Sequence, residues 1–311
     1  MNPIATFLDK QGFAVLDGAL ATEMEKRGAD LDDPLWSAKQ LFEAPELVRA
    51  VHLDYLHAGA DVIATATYQA SFEGFANAGF DHEQAEGLMR LSVDLAVLAR
   101  ETFWSSADAR LGRLRPLVAA SIGPYGAILH DGSEYHGNYE ISREELREFH
   151  RQRLLILDDT DADLFAFETI PSMEEGEVLV ELLQDFPQRS AWLSFSCRDG
   201  ESVSHGERFA DCAALARATD QVAAVGLNCT PPQFAEALLA SAADLGTPLV
   251  CYPNSGEHWC AEDNRWEGQG STDFPIAAWF GHGARLVGGC CRTGPDDIRR
   301  IRAELLGLAD R

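Results

Sequence analysis

The chain has 311 residues, enough for one large α/β domain or two ordinary ones, and its 46% hydrophobic content is that of a globular protein with a sizeable core. Lys and Arg total 25 against 50 Asp and Glu, a formal charge of −25; nucleic-acid binding needs clustered positive charge, so no DNA or RNA partner is expected, and an anionic membrane fits no better. No apolar run approaches the roughly 20 residues of a membrane helix, and the start, Met-Asn-Pro-Ile-Ala-Thr-Phe-Leu-Asp-Lys, has no basic segment leading a long apolar one, so no secretory signal is expected. The acidity reads first as solubility or salt adaptation, and second as a mild bias toward cationic substrates. Seven cysteines, an odd number in a chain that needs no staples, indicate free thiols in a reducing, cytoplasmic setting.

Short apolar runs alternate with longer amphipathic stretches. The run 13–16 reads as a strand, followed after a loop by a helix over 45–57. The run 61–65 precedes a helix over 84–103. Residues 116–122 precede a helix over 142–158, with Ser142 as N-cap and Glu145 completing a capping box. The runs 164–167, 191–196, 222–227, 248–251 and 285–288 read as further strands. Each leads to a helix, over 173–183, 209–219, 232–245, 274–281 and 295–306 in turn. Eight strand–helix units imply a parallel sheet with crossover helices and suit a single (β/α)8 TIM barrel over 1–311. An open doubly wound sheet competes, but no Gly-x-Gly-x-x-Gly follows the first strand. No linker, charge block or internal repeat divides the chain.

In a barrel the active site lies at the carboxyl ends of the strands, and the unusual residues gather there. Asp17-Gly-Ala follows the first strand, Thr65-Ala-Thr-Tyr-Gln-Ala-Ser71 the second and Gly123-Pro-Tyr-Gly126 the third. Glu168-Thr follows the fourth, Asn228-Cys229 ends the sixth, Tyr252-Pro-Asn254 follows the seventh and Gly289-Cys-Cys291 ends the eighth. The connection after the second strand and the stretch 130–139 are long enough to act as covers. Cys229, Cys290 and Cys291 thus stand at the same ends of two strands. Three soft ligands with an open fourth position suit a catalytic zinc better than a structural one, which four ligands close. Simple burial competes, since cysteine is also a small hydrophobe; so does a redox pair at the vicinal cysteines. Burial is the expectation for Cys212, and Cys197, Cys251 and Cys260 are weaker ligand candidates. Glu168, an acid ending an apolar run, is either paired or functional. Asp17 before a glycine reads equally as a turn residue. His52, His57 and His258 form no ligand set and suit surface or capping roles.

Several stretches resemble the homocysteine S-methyltransferases. They begin with Asp17-Gly-Ala-Leu-Ala-Thr-Glu-Met-Glu-Lys-Arg-Gly28, Pro34-Leu-Trp-Ser-Ala38, Gly59-Ala-Asp-Val-Ile63 and Thr65–Ser71. Gly123-Pro-Tyr-Gly-Ala127, Phe167-Glu-Thr-Ile-Pro171, Gly226-Leu-Asn-Cys-Thr-Pro231, Tyr252-Pro-Asn-Ser-Gly-Glu257 and Val287-Gly-Gly-Cys-Cys-Arg-Thr-Gly-Pro295 continue the set, in order and almost end to end. The resemblance is to the branch using S-methylmethionine or S-adenosylmethionine; the betaine-using branch shares the cysteine pattern. It implies a (β/α)8 barrel with zinc on Cys229, Cys290 and Cys291. It also implies methyl transfer from a sulfonium donor to the thiolate of homocysteine, giving methionine. Asp17 and Glu168 are then expected near the homocysteine ammonium.

Zinc favours the deprotonated form of a sulfur ligand, so the acceptor can be a thiolate at neutral pH. Trp36 and Tyr68 are candidates to face the sulfonium through cation–π attraction, with plain packing as the alternative. Asn228 would fix substrate or backbone, or simply turn the chain. Thr67, Tyr252 and Asn254 face the mouth with no assigned role. Two rivals remain at this level: a zinc-dependent barrel hydrolase and a thiol-based zinc or redox sensor. The expected partners are small molecules; the sequence names neither the donor, nor selenohomocysteine as an alternative acceptor, nor an oligomeric state.

Overall fold

A computed structural model describes residues 2–33, 35–129, 131–260 and 265–309. Pro34 and His130, which open a motif and an expected cover, lie outside the described residues, as do the side chains of His258 and Cys260. Eight parallel strands form one sheet: β1 Ala14–Val15, β2 Val62–Ala64, β3 Leu117–Ile122, β4 Leu164–Ile170, β5 Ala191–Phe195, β6 Val222–Asn228, β7 Leu249–Tyr252 and β8 Ala284–Val287. From β2 onward each strand pairs with the next, and β8 returns to β1 through Leu286–Ala14 and Val287–Val15. The bridge Leu16–Val62 closes the ring between β1 and β2, helped by Asp61 N donating to Val15 O at 2.7 Å. The fold is the expected barrel.

The helices follow the apolar periodicity: Pro45–Ala58, His82–Ser105, Arg143–Asp158, Met173–Leu183, Pro232–Ala242, Ile276–Gly281 and Pro295–Ala309. Ser142 and Glu145 form the reciprocal capping box. The stretch 209–219 differs, because Phe209–Ala213 is α-helical and Ala214–Ala218 tightens to a 3-10 turn. Ala5–Gln11, Leu20–Lys26, Phe72–Asn77 and a hairpin of His258–Cys260 with Arg265–Glu267 carry no strong periodic signal; Cys260 ends the first strand of that hairpin. No described helix is long and apolar enough to cross a membrane.

Alternation along each strand sets the site. Phe165, Phe167, Leu193 and Val225 point outward to the helices, whereas Ala119, Leu164, Ala166, Trp192, Ala224 and Val250 fill the barrel. Ile4 and Phe7 join that inner cluster from the first helix. One inward step further toward the carboxyl ends, the apolar layer gives way to Ser121, Glu168, Ser194, Asn228 and Tyr252. The polar floor of the site is thus the next layer of the same side-chain stacking.

Candidate active site

Cys229 directly follows β6, and Cys290 and Cys291 follow β8 after Gly288-Gly289. Their sulfurs lie within 4.8 Å of one another, the one cluster of metal-ligating side chains found among the described residues. Cys229 and Cys291 sulfurs are 3.8 Å apart, in contact without a disulfide. The loop after β7 holds the vicinal pair: Cys290 N donates to Pro253 O at 2.8 Å, and Ser255 N to Cys291 O at 3.2 Å. Glycine at 289 is required, since a Cβ there would sit 2.2 Å from Thr293 Oγ1. Hydrogen bonds from Cys290 and Cys291 hold the Cys229 thiol well below the usual range, and the same hydrogen bonds, with burial and the charge of Cys229, push the other two up. A cation among the sulfurs would favour the thiolate form of all three. Cys197, Cys212 and Cys251 are buried outside the cluster, and burial pushes their thiols up, that of Cys212 to about 12.

Glu168 reaches into the same mouth. Ser121 Oγ donates to its Oε1, and Tyr252 OH donates to its Oε2 at 2.9 Å. Burial pushes this carboxyl up to about 7, the two hydroxyls pull it down, and Cys290 adds to the rise. Asp17 Oδ2 accepts from Ala64 N at 2.9 Å, and burial with the charge of Glu168 holds Asp17 well above the usual carboxylate range. Among the described residues no Lys, Arg or His neutralises either acid. Two buried carboxyls without a counter-ion suit a cation that carries N–H donors.

Asn228 spends its hydrogen bonds on the protein. Its Oδ1 accepts from Thr169 N at 2.7 Å and Ser194 Oγ at 2.8 Å, and its Nδ2 donates to Thr169 Oγ1 at 2.8 Å. Of the alternatives raised by the sequence, backbone fixation is the one the geometry displays. Thr169 needs it, because this β-branched residue sits at φ 63°. The strained step is a bulge in β4 between Phe167 and Ile170, so Glu168 lies within the strand rather than after it. Cys229 at φ 46° and Trp36 at φ 46° are similarly left-handed, so backbone strain gathers at the mouth.

Trp36 and Tyr68 pack edge to face, with ring centroids 5.9 Å apart at 69°. Buried Arg153 fixes the loop under them, donating to Thr67 O at 2.9 Å, Tyr68 O at 2.8 Å and Gly123 O at 2.8 Å. Thr67 Oγ1 donates to Ser121 O at 2.7 Å, and Asn254 Oδ1 accepts from Gly256 N at 2.8 Å, so both serve the loops. His57 is exposed, as expected, whereas His52 is fully buried without a hydrogen-bond partner. Burial lowers His52 to about 4, which makes it a neutral core residue and not the surface or capping group its sequence context implied.

The sequence marked 130–139 as a cover without singling out the residues on it that matter. Tyr135 lies with its hydroxyl 3.4 Å from Cys229 Sγ. Next to it, Glu134 is pushed up to about 7 by burial. Buried Glu175 ties down the cover, accepting from Tyr139 OH at 2.9 Å, Tyr125 N at 2.7 Å and, through the same Oε1, facing His150 Nε2 at 2.8 Å. The available signal was a Glu-Tyr pair inside a long connection beyond β3.

A closed parallel barrel that brings three thiols together at the ends of two strands, beside two buried acids without a counter-ion, has the arrangement of a barrel enzyme with a candidate site at its cysteine cluster. The sequence profile of homocysteine S-methyltransferases matches residues 14–305. The chain is 49% identical over 307 residues to homocysteine S-methyltransferase YbgG of Bacillus subtilis, covering 97% of this chain and 98% of that one. It is 46% identical to a selenocysteine Se-methyltransferase of Brassica oleracea var. italica, over 95% of this chain and 89% of the relative. The metallated crystal structure of the homocysteine methyltransferase MmuM from Escherichia coli superposes with a TM-score of 0.87 at 47% identity, covering 97% of this chain and all of that one. The chain belongs to the homocysteine S-methyltransferase family and is an enzyme of that type.

Proposed function

We propose that this chain transfers a methyl group from a sulfonium, S-methylmethionine or S-adenosylmethionine, to the thiolate of homocysteine, with zinc on Cys229, Cys290 and Cys291. The whole chain acts as one homocysteine-binding barrel, and its free thiols suit the cytoplasm. The spacing of the sulfurs carries the reading. Zinc–thiolate bonds of about 2.3 Å place the corners of a tetrahedron about 3.8 Å apart, and Cys229 and Cys291 sulfurs lie 3.8 Å apart. Three protein thiols leave one corner for a substrate sulfur. Bound there, zinc would keep the acceptor sulfur deprotonated at neutral pH.

The side chains supply orientation. Asp17 and Glu168 hold the homocysteine ammonium, and Ser121 and Tyr252 fix the Glu168 carboxylate. Trp36 and Tyr68 offer ring faces to the sulfonium. The cover bearing Tyr135 excludes water. Methyl transfer needs donor sulfur, carbon and acceptor sulfur in line, so positioning carries the rate. The acceptor sulfur forms the new bond to the methyl carbon as the donor sulfur takes back its electron pair; with S-methylmethionine both products are methionine. No general base is needed at this step. A thiol sensor would have no use for both Asp17 and Glu168, and three thiolates would leave zinc a weak Lewis acid for hydrolysis. The Se-methyltransferase relative supports selenols as further acceptors for the same site.

The test is methionine formation from homocysteine with each sulfonium in parallel, with and without chelator. Turnover with one donor or both, abolished by chelation and restored by zinc, is expected. No turnover with either donor in zinc-replete protein would defeat the reading. The Cys290→Ala, Cys291→Ala double variant is expected to lose stoichiometric zinc; zinc retained at one per chain would sink the ligand assignment.

A further inference from the structure

Two amino-acid substrates bring two ammonium groups, and Asp17 with Glu168 answers only one of them. A third carboxylate lies near Cys229. Glu134 lies in the cover, next to the residue whose hydroxyl touches Cys229 Sγ. Its Oε2 is shut off from solvent, and among the described residues none donates a hydrogen bond to it. A buried carboxylate oxygen without a donor is costly, and few persist without a use.

The cover is built to hold it there. Ser196 Oγ donates to Glu134 O at 3.3 Å, and Ser204 Oγ donates to Ser196 Oγ at 2.8 Å. Gly126 makes room, since a Cβ at that position would sit 2.5 Å from Glu134 N. Tyr139, hydrogen-bonded to Glu175, anchors the far side of the segment. The acids divide around the thiols. Glu168 and Asp17 bear on Cys290, whereas Glu134 bears on Cys229, Tyr135 and Tyr139. Tyr68 feels the charge of both Glu134 and Glu168.

We propose that Glu134 receives the α-ammonium of the methyl donor, as a donor-positioning residue opposite the acceptor's Asp17 and Glu168. The inference rests on the sulfonium reading above. The orphaned oxygen decides between the donor's two positive groups, because a sulfonium offers charge without an N–H and an ammonium offers both. Donor and acceptor ammonium groups then sit on opposite flanks, with their sulfur ends meeting over the cysteines.

Glu134→Gln, which keeps size and shape, tests this in the zinc-loaded enzyme. The KM for S-methylmethionine is expected to rise about 10- to 100-fold, with kcat changed far less and homocysteine KM unchanged. The des-amino sulfonium 4-(dimethylsulfonio)butanoate, used as a competitor against S-methylmethionine, is expected to keep its inhibition constant. An unchanged S-methylmethionine KM overturns the proposal. So does an equal loss for the des-amino competitor, which would assign the carboxylate to the sulfonium itself, or a matching loss in homocysteine affinity. Inactivity of the unsubstituted enzyme with every sulfonium would instead overturn the sulfonium reading, and this inference with it.

Discussion

At the scale of single residues, Glu168 shows how a site is kept ready at a cost to stability. Its folded pKa of about 7 lies above the ordinary 4.5. Between those values the folded chain holds a proton that the unfolded chain has lost. Stability contributed at Glu168 therefore falls as pH rises through that window, the reverse of a salt-bridged acid. Glu168→Gln removes the decline. In thermal unfolding the variant is expected to match the parent near pH 5 and to gain on it near pH 8, by on the order of 2 kcal/mol. A gap that does not widen with pH would contradict the buried-acid account. The same variant should raise homocysteine KM strongly, because the ammonium loses an anionic partner. Glu168 was readable in the sequence, since an acid closing an apolar run has few bland explanations. Glu134 was not, because its neighbours in the chain are polar loop residues. Nothing local separates an orphaned acid from a solvated one; the distinction comes from Tyr68, Tyr139 and Cys229, which meet it only in the folded chain.

Among the elements, the strands and most of the helices were legible and the inward faces were not. Strands buried on both sides read as continuous apolar runs, so 164–167 announces a strand without saying which residues face the lumen. The bulge at Thr169 left no local trace either, because its cause is Asn228 on another strand. Short helices such as Phe72–Asn77 fell below the length at which periodicity can be counted. Gly226 tests how tightly the elements fit. In β6 a Cβ at this position would come 1.9 Å from Val250 O on β7. Gly226→Ala must therefore push apart β6 and β7, the strands that carry the Cys229 and Tyr252 ends of the site. A loss of about 3 kcal/mol or more is expected in urea unfolding, with zinc content falling in the soluble fraction. An unshifted unfolding midpoint would show that β6 and β7 can slide apart without penalty.

Across the whole molecule the weak place is the seam between β1 and β2, the two shortest strands of the barrel, joined by the single bridge Leu16–Val62. Asp61 stitches it from the end opposite the site. Its Oδ2 accepts from Val15 N at 3.1 Å and Gln11 Nε2 at 2.7 Å, and its Oδ1 accepts from Arg302 Nη1 at 2.9 Å and Arg113 Nη2 at 3.3 Å. One fully buried carboxylate thus gathers the first helix, β1, the approach to β3 and the last helix. Removing one member of a buried ionic group is expensive because the partners stay charged, and Arg113 is already pushed down by burial. Asp61→Asn is expected to lower stability by roughly 3–5 kcal/mol, read as a drop in the urea midpoint. Zinc content and homocysteine affinity of the folded fraction should hold, since Asp61 and the cysteines lie at opposite ends of the strands. Loss of zinc in parallel with stability would mean that the seam, and not the loops alone, sets the spacing of the three sulfurs. The ring of strands would then be a working component of the metal site, because Cys291 follows β8, the neighbour of β1, while Cys229 follows β6.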